Sequence, residues 1–272
     1  MLKNIYLEII PPFFQKKIKN LLFKKRGYFS GPYPHWQAAR DQAKGYDAPE
    51  VLETVKGSYL QAKKNPNLFI RDGMIFTQPQ YAYPVLAMLL KVALENHHQL
   101  SVLDFGGGLG SSYYAFKHFC ASINPLLWHV VEQPHFVDCG KKFFTSSELH
   151  FYQNINDITD KPQVILLSAV LQYIENPYEL LQQLLQLNVP YLILDRIWFT
   201  ANKPQDLLLV EHVDKNIYNS SYPCWLFNQT NIIQALSTKY NIIDEYPALE
   251  GTFTVNQFKI ASKGLLLKRK ST

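Results

Sequence analysis

The chain has 272 residues, of which 47% are hydrophobic and 14% aromatic, with a formal net charge of +5. That is long and apolar enough for a sizeable buried core, and it excludes a disordered or fibrous chain. Three cysteines with no close pair exclude a disulfide framework or zinc knuckle and suit a reducing cytoplasm, and eight histidines without metal-ligand spacing give no metal site.

Charge is uneven. Residues 1–27 carry Lys3, Lys16, Lys17, Lys19, Lys24, Lys25 and Arg26 against Glu8, a net +6, so the other 245 residues sum to −1. A body without positive excess disfavours a nucleic-acid-binding face. In the arm, Pro11 and Pro12 break any single helix. Residues 13–25 fit an amphipathic helix with Phe14, Ile18, Leu21 and Leu22 on one face. Such a stripe either docks on an anionic membrane surface or packs on the body or a partner with its lysines solvated; the second is the commoner fate. No apolar run of membrane-spanning length and no secretory signal is present, so the expected location is cytoplasmic, membrane-peripheral only through this arm.

Residues 28–99 read as a helical preface. Turn material at Gly27–Pro34 precedes a helix over His35–Ala43; a second starts at Tyr46-Asp47-Ala48-Pro49 and carries Val51, Leu52, Val55, Tyr59 and Leu60 at helical spacing. A third runs from Gln80 to Asn96 with Tyr83, Leu86, Leu90 and Leu94 as its buried stripe. No strand is needed before residue 100.

From residue 100 strands and helices alternate. Strands are expected at Val102–Asp104, Leu127–Val131, Leu149–Tyr152, Val164–Ser168 and Tyr191–Asp195, with helices over 111–120, 135–144 and 177–187 between them. Apolar strands separated by amphipathic helices mean an α/β fold with a parallel sheet covered on both faces. Two more strands follow at 241–247 and 264–269. Ligands in such sheets bind outside the carboxyl ends of the strands.

The strand ending at Asp104 runs into Phe105-Gly106-Gly107-Gly108-Leu109-Gly110-Ser111. Strand, glycine turn and helix start together present backbone N–H groups to a ligand. The dinucleotide fingerprint fails because Ser111 stands at the third glycine position, and a phosphate loop fails because no lysine follows. Glu132, at the end of the next strand, can accept both ribose hydroxyls of a nucleoside, or it merely caps the next helix with Gln133-Pro134. Asn156-Asp157 stands where an adenine amino group is often bound, or forms an ordinary Asx turn. Ser168 ends another strand.

The spacing acidic-x-Gly-x-Gly-x-Gly over Asp104, Gly106, Gly108 and Gly110 resembles motif I of the class I S-adenosylmethionine-dependent methyltransferases. More widely, the chain is similar to a family of uncharacterised bacterial methyltransferases often linked to surface-polysaccharide gene clusters. The segments that carry this are Gly45-Tyr46-Asp47, Asp104–Gly107 with Gly110-Ser111, Val170–Ile174, Leu194-Asp195-Arg196, and Ile217-Tyr218 with Ser221-Tyr222-Pro223, over about residues 28–267. The resemblance implies a seven-stranded Rossmann-like sheet whose last strand inserts antiparallel, with S-adenosylmethionine as cofactor. It implies an N-terminal region, 28–99, covering the cofactor cleft, from which Arg71 or Tyr81 reaches in, and a methyltransferase domain over 100–272. Glu211-His212-Val213 departs from the family pattern.

For methyl transfer to a hydroxyl, a general base helps. The candidates are His212 in a loop after the fifth strand, Tyr173 after the fourth, and Asp195 at the end of the fifth; each has a bland alternative as a solvated, stacked or ion-paired group. The aromatic stretch Tyr218–Phe227 reads as a loop that walls a substrate or packs in the core. Two functions stay open: O-methylation of a small molecule or glycan precursor, and a non-catalytic nucleoside-binding module that scaffolds a glycan-assembly complex.

Overall fold

The computed structural model describes residues 28–45, 49–65, 67–200, 203–213 and 219–271. The readings placed on the basic arm (1–27), on Tyr46-Asp47 and on Ile217-Tyr218 lie outside the described residues.

The centre is a parallel sheet. Its strands are β4 (Leu100–Phe105), β5 (Leu126–Val131), β6 (Leu149–Tyr152), β7 (Val164–Ser168) and β8 (Tyr191–Thr200), in the order β6-β5-β4-β7-β8. The runs Val164-Ile165-Leu166-Leu167 and Tyr191-Leu192-Ile193-Leu194 are buried throughout, as strands covered on both faces must be. At the edge, β12 (Phe258–Arg269) pairs antiparallel with β8, and β11 (Tyr240–Val255) pairs antiparallel with β12. These seven strands form a Rossmann-like sheet with its last strand inserted antiparallel.

Three further strands extend it to ten. β8 runs on past its pairing with β7, and Phe199-Thr200 pairs parallel with the end of β10 (Ser221–Asn228). β9 (Leu207–His212) and β1 (Tyr28–Tyr33) continue antiparallel from there.

Helices cover both faces. On one lie α2 (Pro49–Lys64), α3 (Tyr83–Glu95), α4 (Ser111–Phe116) and α5 (Pro134–Phe143), around Tyr59, Leu89, Val102, Trp128 and Phe136. On the other lie α6 (Pro177–Gln186) and α7 (Gln229–Ser237), around Leu103, Ile165, Leu181 and Ile232. A short α1 (Trp36–Arg40) stacks Trp36 on Trp225 of β10. Among the described residues no helix is long and apolar enough to cross a membrane.

Several expectations are corrected. Residues 28–99 are not purely helical: β1 belongs to the main sheet, and β2 (Phe69–Arg71) with β3 (Met74–Phe76) makes a separate two-stranded hairpin. Helix α3 buries Val85, Met88, Leu89 and Val92 beside Leu86, while Tyr83 and Leu94 are exposed. It packs on β4 and β8, and that contact rotates the buried face away from the stripe read in the sequence. From Ser221 on, the stretch read as an aromatic loop is strand β10, with Cys224 and Phe227 wholly buried, and His212 ends strand β9 rather than sitting in a loop.

Candidate functional site

The parallel strand β4 delivers Asp104 to the sheet's carboxyl edge, and the chain turns there. Gly106 adopts φ +71°, and its N–H donates to the Val131 carbonyl at 2.9 Å, tying the turn to β5. A Cβ at Gly106 would stand 2.3 Å from a γ-methyl of Val170, so no side chain fits. Gly107 lies against the Asp104 carboxyl, and Gly110 precedes α4 against Leu149. Gly108 differs: it has φ +57°, and a Cβ there would meet nothing within 4 Å, so the turn opens a notch at that point.

The two acids flank this turn. Asp104 is buried, with one oxygen accepting from Trp128 Nε1 at 2.9 Å. Burial raises its pKa to about 7, with Glu132 adding to the rise and the Trp128 hydrogen bond opposing it. Glu132 is half-buried and accepts from the Gly108 N–H at 3.2 Å and the Gln133 N–H at 2.9 Å. Burial raises its pKa, and those two N–H groups restrain the rise. The structure therefore joins Asp104, Gly106, Gly107, Gly108, Gly110 and Glu132 in one place. Gln133 contributes its N–H, and its exposed side chain precedes α5.

Asn156 and Asp157 lie in a short 3₁₀ turn after β6, both exposed. Asn154 donates from its side chain to Asp157 at 3.4 Å, and the Asp157 N–H donates to the Asn154 carbonyl at 3.2 Å, a locally closed turn. Ser168, at the end of β7, donates to Asp195 at 2.7 Å.

Asp195 is 2% exposed and also accepts from the Tyr246 hydroxyl at 2.8 Å, one donor on each oxygen. It fastens β7, β8 and β11 together from inside. The reading of Asp195 as a general base fails on access.

Tyr173 and His212 come from different elements to the same end of the molecule. The Tyr173 hydroxyl donates to Glu211 at 2.7 Å, and its ring meets Trp198 and Tyr222 edge-on at 5.9 and 6.0 Å. Burial, with the Glu211 charge, raises the phenol well above its usual pKa. The hydrogen bond also gives Glu211 a definite place in this cluster. His212 Nε2 lies 3.0 Å from the Ser30 hydroxyl, and burial lowers its pKa.

Of the residues expected to reach in from the N-terminal region, Arg71 lies over the Phe76 ring at 5.3 Å, with its Nε 3.6 Å from Asp72. Tyr81 packs against Phe69, Tyr83, His118 and Phe119 and does not join the glycine turn. The group that packs nearest the turn is Tyr59 of α2, buried and edge-on against Tyr114 of α4 at 5.9 Å. It was legible only as one member of a helical apolar stripe. Asp72 was also passed over; it pairs bidentately with Arg196 at 2.8 and 2.5 Å. Among the described residues no group of three His, Cys, Asp or Glu side chains is placed to hold a metal. A depression of about 180 Å³ on the β11–β12 ribbon, lined by Tyr246, Pro247, Gly251 and Ser262, shares no residue with the glycine turn.

Comparison with known proteins found no matching family model and no matching curated protein. Among solved structures, the fold is similar to 1,6-didemethyltoxoflavin-N1-methyltransferase from Burkholderia thailandensis, solved with 1,6-didemethyltoxoflavin and S-adenosylhomocysteine. That match has 12% identity and TM-score 0.45, covering 84% of this chain and 95% of that one. It is similar to the N-terminal domain of EvdMO1, solved with S-adenosylhomocysteine and D-fucose, at 12% identity and TM-score 0.48, covering 83% and 97%. It is also similar to magnesium protoporphyrin IX methyltransferase from Synechocystis PCC 6803, at 14% identity and TM-score 0.44, covering 96% and 100%. The fold assignment rests on the strand order and pairing described above.

Proposed function

We propose that this chain is an S-adenosylmethionine-dependent methyltransferase acting on a small hydroxyl-bearing acceptor, such as a sugar or glycan precursor. The observation that carries the reading is the juxtaposition of Asp104 and Glu132 at neighbouring strand ends, with the open notch at Gly108 beside the Glu132 carboxylate. The donor set fits a nucleoside: Glu132 accepts from ribose hydroxyls, the glycine turn lets the ligand meet backbone, and Asp104 supplies a buried acceptor.

When bound there, S-adenosylmethionine supplies a methyl already activated on a sulfonium, so the protein's task is mainly positioning. Tyr173 stands after β7 on the acceptor side, and Glu211 accepts its hydroxyl proton in a 2.7 Å hydrogen bond that fixes the orientation of the phenol. His212 follows Glu211 directly on β9, so its ring leaves the opposite face of the strand, beside Ser30, away from the Tyr173–Glu211 cluster. Trp198 and Tyr222, both buried, pack edge-on around the Tyr173 ring and hold it in place.

The test is calorimetric titration of S-adenosylmethionine and S-adenosylhomocysteine into the wild-type chain, Asp104→Ala and Glu132→Ala. Hydrogen bonds to charged groups contribute about 1.5–3 kcal/mol each, so each variant should bind at least about tenfold more weakly. Absence of binding to the wild-type chain, or equal binding by all three, overturns the reading. Transfer of a labelled methyl group to hydroxyl-bearing acceptors then separates an enzyme from a binder.

A further inference from the structure

The β2–β3 hairpin is a weak element in a strong place. Its strands are three residues each, all half-buried, and among the described residues they pair with no other strand. A lone two-stranded hairpin is marginal in water and depends on what it packs against. Two polar contacts hold its tip. Ser58 of α2 donates to the Gly73 carbonyl at 2.6 Å, and Arg196 of β8 grips Asp72 through both terminal nitrogens.

Arg196 stands at an unusual point. It follows Asp195, where the pairing of β8 with β7 ends, and has φ +60°. Ala169, at the neighbouring end of β7, has φ +55°, and its N–H donates to the Asp195 carbonyl at 2.9 Å. Asp72 itself has φ +54°. Left-handed backbone in non-glycine residues persists only where the surroundings impose it, and it clusters at functional sites.

The two carboxylates on Arg196 are not equivalent. Glu250, from the β11–β12 ribbon, is 6% exposed, accepts from Arg196 Nε at 2.6 Å and is itself held by Ser262 at 3.0 Å. Asp72 is 42% exposed. If the Asp72 pair parts, Asp72 turns to water, and Arg196 keeps a buried counter-charge. Neither ion is stranded, so the Asp72 pair opens far more easily than a buried pair losing its only partner. Arg71, already 3.6 Å from Asp72, offers an alternative partner for the released carboxylate.

The hairpin touches both halves of the site: β2 packs on α4, the helix that starts at the glycine turn, and Arg196, which holds Asp72, accepts at its carbonyl from the side chain of Gln172, the residue before Tyr173.

We infer that the Asp72–Arg196 pair is a latch, and that the β2–β3 hairpin is a movable roof over the gap between the glycine turn and Tyr173. Naming these as cofactor and acceptor sides rests on the function proposed above; the latch does not. Glu250 is the fixed post that keeps Arg196 in place while the roof moves.

The test is hydrogen–deuterium exchange on the full-length chain without ligand, comparing wild type with Asp72→Asn, which keeps the shape and removes the charge. Exchange in residues 69–76 should rise at least fivefold, with β4, β7 and β12 unchanged. Arg196→Lys, which keeps the charge and loses the fork, should fall between the two. Unchanged hairpin protection in Asp72→Asn, or a rise spread evenly over the sheet, would overturn the latch. In a second arm, S-adenosylhomocysteine should dissociate at least fivefold faster from Asp72→Asn than from wild type; a loosened hairpin with an unchanged release rate overturns the roof. If wild type does not bind S-adenosylhomocysteine, the methyltransferase reading falls, and the exchange arm still decides the latch.

Discussion

At Asp104, burial and the nearby Glu132 raise the carboxyl to about 7, against the hydrogen bond from Trp128. Its folded pKa lies above the unfolded value, so between about pH 4 and 7 the folded state holds a proton that the unfolded state has lost. Stability from this group therefore falls as pH rises through that window. A ligand that donates to Asp104 needs the carboxylate, so binding should expel the proton. Titrating S-adenosylhomocysteine at about pH 6.5 in two buffers of different ionisation enthalpy should show release of roughly half a proton or more. Asp104→Asn should show less; an identical proton balance would remove Asp104 from the site. At Gly106 the expectation is steric. Gly106→Ala places a Cβ 2.3 Å from Val170 on a φ of +71°, and should lower unfolding free energy in urea by about 1–3 kcal/mol. Adding Val170→Ala should restore only the steric part, because the backbone strain stays.

Among the elements, the β11–β12 ribbon carries more than an edge. Tyr246 stands opposite Gly264, and a Cβ at Gly264 would lie 2.0 Å from the Tyr246 ring. The glycine is required by the ring that crosses it, and that ring delivers the hydroxyl to Asp195. Gly264→Ala should displace the ring and leave a buried oxygen without its donor, a loss of about 1–3 kcal/mol or more. Tyr246→Phe, which removes the donor alone, should lose less. Urea denaturation checks the order, and a Gly264→Ala chain as stable as wild type would refute the packing. Strand β10 shows why some elements stayed hidden. Pro223 inside an aromatic run argues against a strand, yet residues 221–226 of β10 pair on one side only, with β9. A proline missing its N–H is tolerated at such an edge.

For the molecule as a whole, His129 should set part of the acid limit. It is wholly buried in β5, and neither ring nitrogen has a hydrogen-bond partner among the described residues. Burial lowers its pKa, reinforced by His150; Asp160, with its carboxylate 3.9 Å away, opposes this, and Tyr152 packs beside the ring. Below its unfolded pKa of about 6.5 the unfolded chain takes a proton that the folded chain resists, so stability is lost as pH falls. Asp104 pulls the other way in this window, so the comparison is the difference: between about pH 5 and 7, as pH falls, wild type should lose stability relative to His129→Phe. An unchanged slope would mean that acid acts elsewhere.

The alternation of apolar strands with amphipathic helices from Val102 onward, and the Asp104-to-Gly110 turn with Glu132 on the next strand, could be read along the chain. Burial periodicity and turn chemistry are local: a strand covered on both faces must be apolar throughout, and a chain that bends at left-handed φ calls for glycine. The partners of Arg196, the buried role of Asp195, the Tyr173–Glu211 bond and the face that α3 buries were settled only by the folded chain. Each joins residues between 27 and 124 positions apart or depends on which neighbour a surface meets. Those pairings follow from how the hairpin, the extended end of β8 and the β11–β12 ribbon converge, and no local pattern encodes that convergence.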